Sequence, residues 1–166
     1  MEKILSSIIS DTRAQAALVL ADGTIFYGRH FGAANTVTAS ITYTTAAMGY
    51  QEIITDEANH GRIVLFAYPH IGNTGVDSVV LKAKPHRAAG LIVRAQTHVI
   101  SHYTATATLE AFMVKNGIVG LAEIDTRRLM RHLRDHGEQK GTIVVAQHQT
   151  LSEQELQSAL ASLQSA

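Results

Sequence analysis

Hydrophobic and polar positions alternate cleanly over Thr36 to Thr44, with Val37, Ala39, Ile41 and Tyr43 on one side and Thr36, Thr38, Ser40, Thr42 and Thr44 on the other. A period of two is the signature of a strand with one buried face. Arg62 to Tyr68 reads differently: RIVLFAY is an apolar run rich in β-branched and aromatic residues and too short for a typical globular helix, which predicts a buried strand. Pro69 ends it, and Gly72, Asn73 and Gly75 then crowd the segment PHIGNTG. That composition supplies left-handed backbone and exposed amides rather than a continuing ladder. A buried strand running into a glycine-rich loop is a usual place for a site or contact surface, and a tight surface turn is an equal reading of the same residues.

The remaining pattern fills in around these two stretches. Glu2 to Gln15 places Ile4, Leu5, Ile8 and Ile9 on one helical face. Ala16 to Ala21 and Thr24 to Phe31 are strands joined by the hairpin turn Asp22-Gly23. Thr45 to Asp56 predicts a helix, Asp77 to Arg87 an irregular segment containing Pro85, Ala89 to Ala95 a strand, and Thr97 to Ala105 a polar connection. A helix over Thr106 to Asn116 is closed by Gly117, and Ile118 to Ala122 is a strand. Asp125 caps a second helix, with Leu129, Met130 and Leu133 as its buried stripe, Arg131, His132, Arg134 and His136 in its last turns, and Gly137 at its end. After a strand over Gly141 to Gln147, Thr150 and Glu153 form a capping box for a terminal helix striped by Leu156, Leu160 and Leu163. The first half is thus hairpin-like and antiparallel, while alternating strands and helices favour parallel pairing in the second.

Composition narrows the function. The 166 residues suit one domain able to bury roughly two thirds of its unfolded surface. Cysteine is absent, which removes disulfides, thiolate metal sites and a cysteine nucleophile from these residues and fits a reducing, cytoplasmic setting. Fourteen Lys and Arg balance fourteen Asp and Glu with no basic run, which argues against nucleic acid as a partner. No apolar stretch approaches the ~20 residues that span a bilayer, so no membrane partner is expected.

Nine histidines raise the question of a metal, and His98 with His102 and His132 with His136 have i, i+4 spacing. No glutamate stands where a zinc hydrolase helix needs its general base, and helix-end electrostatics accounts for the second pair. His70, just past the buried strand, is the most prominent single histidine, readable either as a hydrogen-bonded structural group or as a catalyst. Neither a nucleophile elbow nor a phosphate loop of the GxxxxGK type occurs, and no cofactor or metal is expected.

ALVLADGTIFYGRHFGA, GYQEIITDEANHGRIVLFAYPHIGNTGV, AAGLIVRA and NGIVGLAEIDTRRLMRHLRDHGEQKGTI, in that order, resemble the N-terminal domain of the small subunit of glutamine-dependent carbamoyl phosphate synthetase. AYPHIGN and EIDTR are the specific parts of the match, which runs from about Ala16 to about Val145. The resemblance implies an α/β fold of three layers, a β/β/α swivelling-type domain with one antiparallel and one mostly parallel sheet. On that reading residues 1–15 are an amphipathic helical extension, 16–148 the domain and 149–166 a C-terminal helix. The same resemblance implies docking on the synthetase large subunit and contact with a glutaminase whose ammonia serves carbamoyl phosphate synthesis. The docking or loop residues carried over are Tyr50, Gln51, Glu52, Tyr68, His70, Gly72, Asn73, Asp125 and Arg127.

Departures from the family pattern limit what carries over. The family's cysteine nucleophile lies in its glutaminase domain, and no catalytic residue is assigned here. Where the family reads TDPS, with its serine against the glutamine pocket, this chain reads Thr55-Asp56-Glu57-Ala58, so Ala58 marks a lost hydroxyl. The family's GEVVFNTSMTGYQE becomes ASITYTTAAMGYQE, and Lys82 and Lys84 reverse the acidic sign expected after IGNTG. Three functions follow: a noncatalytic domain that docks on the large subunit or a related assembly, a component of a split synthetase whose glutaminase is a separate chain, and a small metal- or histidine-dependent enzyme. A homo-oligomer is a further alternative, since the Ile4/Ile8 and Leu156/Leu160/Leu163 stripes or self-association would cover an apolar face equally well.

Overall fold

A computed structural model describes residues 15–72, 75–77, 85–96 and 107–165. All but the last residue of the expected helix over Glu2 to Gln15, Asn73, most of the irregular segment with Lys82 and Lys84, and the connection carrying His98 and His102 lie outside the described residues.

Strands β1 (Ala16–Leu20) and β2 (Ile25–Gly32) form the expected hairpin across Asp22-Gly23, where the Thr24 N–H donates to Asp22 Oδ1 at 2.9 Å. β3 (Val37–Thr44), β4 (Ile63–Phe66), β6 (Gly90–Ile92), β8 (Val119–Ala122) and β9 (Lys140–Val145) join them. Among the described residues these seven strands close into a barrel in the order β1-β2-β8-β6-β4-β3-β9. Pairs β3/β4, β4/β6 and β6/β8 are parallel, and β1/β2, β1/β9, β2/β8 and β3/β9 are antiparallel.

The three-layer β/β/α expectation is therefore corrected. The antiparallel and parallel groups are both present, but they are not separate layers. β2 and β3, eight residues each, bridge them: β3 has one antiparallel and one parallel neighbour, and β2, antiparallel throughout, passes from β1 to β8 at the end of the parallel run. Residues Ile25–Gly28 of β2 pair with β1 while Arg29–Gly32 pair with β8. In β3, Val37–Ser40 pair with β9 and Ile41–Thr44 with β4. A strand that changes partner halfway carries the ladder around the corner, and two such strands close the sheet on itself and remove its edges.

Closure accounts for the burial pattern. In β4, Ile63 and Leu65 point into the barrel interior with Leu18, Leu20, Phe26, Ile41, Ile92, Leu121 and Ile143, while Val64 and Phe66 join an outer core. Both faces of the strand are covered, so it reads as a continuous apolar run. α2 (Leu109–Asn116) supplies Leu109, Phe112 and Met113 to that outer core, and α1 (Tyr50–Ile54) supplies Tyr50 and Ile54. α3 (Thr126–His136) inserts Leu129 and Leu133 into the interior cluster. A second outer core sets Leu156, Ala159 and Leu163 of α4 (Glu153–Ser165) on Ala17, Val19 and Val144 of β1 and β9. Each such Leu contributes roughly 1.5–3 kcal/mol by its burial. β3 keeps its polar outer face, as its alternation requires, although Tyr43 near its end is exposed.

Three local expectations shift. Thr45 to Asp56 holds only the short α1, because Gly49 at its N-terminus is left-handed with φ 76° and cannot lie within a helix. The capping box lies two residues later than Thr150/Glu153: Ser152 and Glu155 exchange backbone and side-chain bonds, the Ser152 N–H donating to Glu155 Oε2 at 2.7 Å and the Glu155 N–H to Ser152 Oγ at 3.3 Å. Ala89 to Ala95 divides into β6 and β7 (Ala95–Gln96), and β7 pairs in parallel with β5 (His70–Ile71) just beyond Pro69, forming a small sheet apart from the barrel.

Candidate docking surface

Tyr50 and Gln51 secure the far end of PHIGNTG from α1. The Tyr50 hydroxyl, in a side chain only 4% exposed, donates to the Gly75 carbonyl at 2.5 Å, and Gln51 Oε1 accepts from the Asp77 N–H at 2.8 Å. On the other side, Val76 and Ala107 form an antiparallel bridge. Ile71 is buried in the outer core, and Gly72 follows with φ 102°, a conformation a side chain would strain. The glycine-rich segment is thus anchored, and Tyr50 and Gln51 spend their polar groups on the anchor. Glu52, Tyr68 and His70 remain on the surface, Tyr68 at 40% exposure.

Ala58 is exposed in a short 3₁₀ turn whose cap is Asp56, Oδ1 accepting from the Ala58 N–H at 2.9 Å. It precedes β4, whereas Tyr68 and His70 follow it, so a four-residue strand, about 13 Å at 3.3 Å per residue, separates Ala58 from the other two.

EIDTR is a turn in which nearly every residue has a local job. Glu123 carries φ 61°, the one positive value outside glycine among the described residues, and its N–H donates to the Arg94 carbonyl at 3.0 Å. Ile124 fills the barrel interior. Asp125 Oδ1 accepts from the Arg128 N–H at 3.0 Å and starts α3, and Thr126 is buried. Arg127 alone points outward without a partner among the described residues.

The histidine pair on α3 is in structural contacts. His132 and His136 stack with ring centres 4.3 Å apart, His132 Nε2 lies 2.6 Å from Asp22 Oδ2, and His136 Nδ1 lies 2.9 Å from the His132 carbonyl. Partial burial alone would raise the Asp22 carboxyl. Hydrogen bonds from Thr24 and the His132 imidazole outweigh that and hold it below its usual range. Among the described residues no group of three or more His, Cys, Asp or Glu is placed to hold a metal ion.

One feature of the surface escaped the sequence. A groove of about 650 Å³ runs between α4 and the β3/β9 face, lined by Thr36, Thr38, Thr142, Ser158 and Ser162 among others, with the Thr38 and Thr142 hydroxyls 2.7 Å apart. The threonine side of the β3 alternation was its only signal. Among the described residues no helix is long and apolar enough to cross a membrane.

A family profile described as carbamoyl-phosphate synthase small chain, CPSase domain, matches residues 18–143. The carbamoyl phosphate synthase small chain of Polynucleobacter asymbioticus is 45% identical over 129 residues, covering 78% of this chain and 32% of that protein. The same protein in Neisseria meningitidis serogroup A is 40% identical over 149 residues, 89% of this chain and 40% of the relative. That of Thermus thermophilus is 39% identical over 138 residues, 83% and 35% respectively. The chain thus spans about a third of the length of the curated relatives it matches. Among solved structures, an aminopeptidase from Aneurinibacillus sp. strain AM-1 aligns at a TM-score of 0.46 with 17% identity, over 81% of this chain and 31% of its own, a likeness too low to carry an argument.

Proposed function

Because the chain belongs to the carbamoyl-phosphate synthase small-chain family, matching its CPSase domain over residues 18–143, we propose that it acts by docking on the large subunit of such a synthase and contributes no catalytic group of its own. The family match carries this reading. Composition supports it: these residues hold no cysteine, so they lack the thiolate that would attack the glutamine amide. Ala58, at the position where the resemblance puts a pocket serine, has no hydroxyl for a substrate.

The docking residues of this reading are those whose side chains reach solvent and are not engaged in holding a loop or capping a helix: Glu52, Tyr68, His70 and Arg127. Tyr50, Gln51 and Asp125 act one step back, through the anchored loop and the start of α3. A second form of the same reading makes the chain one component of a split glutamine-dependent synthase, with the glutaminase on a separate chain. Co-sedimentation distinguishes them: docking needs a complex with the large subunit alone, and the split form needs a three-way complex with a glutaminase. Ammonia release from glutamine by the pure chain would sink both.

A further inference from the structure

We propose that the exposed face of α3 is where this chain meets its partner, and that the partner presents carboxylates to it. The inference rests on the docking reading above and names the surface that performs it. Arg127, Arg131 and Arg134 stand at i, i+4 and i+7, which places them on one side of the helix. At 1.5 Å rise per residue they span about 10 Å. All three are exposed, and Arg128 flanks them with its guanidinium 4.7 Å from the centre of the Phe26 ring. Asp135 is the one carboxylate on α3, and it lies 3.3 Å from Arg134. Among the described residues, no carboxylate stands within ion-pair distance of Arg127, Arg128 or Arg131.

This arrangement works against the helix that carries it. Arg127 and Arg128 occupy a first turn with no acidic residue, at the positive end of the helix dipole. Arg127 with Arg131, and Arg131 with Arg134, are like-charge neighbours of the kind that weakens a helix. A face built only for solvation interleaves both signs. Rules of local stability are broken together mainly where a surface has another use.

The chemistry of the stripe selects its partner. All four bases are arginine, and arginine sheds water more readily than lysine, matches a carboxylate with a two-pronged fork, and is enriched where lysine is depleted at protein interfaces. Phosphate would satisfy the same fork. Against a nucleic acid stand the balance of fourteen bases and fourteen acids in the chain and the shortness of the stripe, which leaves few phosphates to neutralise.

The test measures binding of the full chain to the purified large subunit of its cognate synthase by titration calorimetry. It compares the unaltered protein with R127E/R131E and with K115E, which reverses one charge on α2. The double variant is expected to bind at least about tenfold more weakly, and K115E to change affinity less than about twofold. R127E/R131E is also expected to melt no lower than the unaltered protein: 127 and 131 stay alike in sign, but acid replaces base at the positive end of the dipole and the like-charge pair of 131 with Arg134 becomes an opposite-charge pair. Equal binding by both proteins would overturn the stripe and leave docking in place. A lower melting temperature would give the arginines a role in the fold and overturn the proposal too. Tighter binding to a short DNA duplex than to the large subunit, lost in the double variant, would assign the stripe to phosphate instead. If the unaltered protein fails to bind the large subunit, the docking reading falls and the stripe falls with it.

Discussion

Phe31 and Gly120 face each other across β2 and β8, and the Phe31 ring occupies the space a side chain at 120 would need: a Cβ built there would lie 2.5 Å from Cε1 of the ring. The glycine is thus a packing requirement set by its cross-strand partner, within the stretch where β2 pairs with β8. Gly120→Ala should cost about 1–3 kcal/mol through overpacking, and Phe31→Ala about 3–5 kcal/mol through the cavity it leaves. In the double variant the new methyl enters the vacated space, so the combined loss should fall short of the sum by about 1 kcal/mol or more. Chemical denaturation of the four proteins measures this, and strict additivity would refute the contact.

Tyr50→Phe should cost about 1–2 kcal/mol, because it leaves the buried Gly75 carbonyl without the hydroxyl that bonds it at 2.5 Å. Amide exchange should quicken at Val76 and Asp77, which the same anchor holds. Unchanged exchange there would mean the loop is held by other means.

His132→Ala removes a contact joining the first hairpin to α3, two elements 110 residues apart. At 35% exposure for the Asp22 side chain, the pair contributes about 0.2–1 kcal/mol. Folded Asp22 keeps its charge to lower pH than the unfolded chain does. Its contribution is therefore complete above the ordinary aspartate range and vanishes as pH falls through the depressed value. The stability gap between the two proteins should close on acidification, and a gap that persists in strong acid would count against the pair.

Ser152→Ala should destabilise the protein by about 1 kcal/mol, whereas Thr150→Ala should stay within about 0.5 kcal/mol. Leu163→Ala, which empties a buried position of α4 against β1 and β9, should cost about 2–5 kcal/mol. Thermal melts rank the three, and a larger loss at Thr150 than at Ser152 would restore the earlier register of the capping box.

Where a signal is local, the sequence was legible. Asp22-Gly23 marked its hairpin, Asp125 and Gly117 marked helix ends, and the threonine alternation marked a strand with one wet face. Errors arose where two local patterns compete or one residue vetoes a longer pattern. Thr150/Glu153 and Ser152/Glu155 both fit S/T-x-x-E, and only the docking of α4 on β1 and β9 chooses between them. Gly49 cut a twelve-residue helical expectation to the five residues of α1.

The candidate surface was partly legible for the same reason. AYPHIGN and EIDTR drew attention to two segments, but Tyr50 and Gln51 turn their polar atoms to a backbone 25 and 26 residues away, a distance in sequence that no short motif encodes.

By themselves the residues determined most of the strands and caps, the family and the absence of a thiol nucleophile from these residues, all of which are written in neighbouring side chains or in composition. Only the tertiary structure decided that β2 and β3 change partner midway and close the antiparallel and parallel groups into one barrel, and that Arg127 and Arg131 face water with no carboxylate within ion-pair distance among the described residues. Both depend on which distant segments come together. Apolar burial drives that choice, and it is indifferent to order along the chain: the same hydrophobic strand satisfies its faces in a layer or in a barrel until every other strand has taken its place.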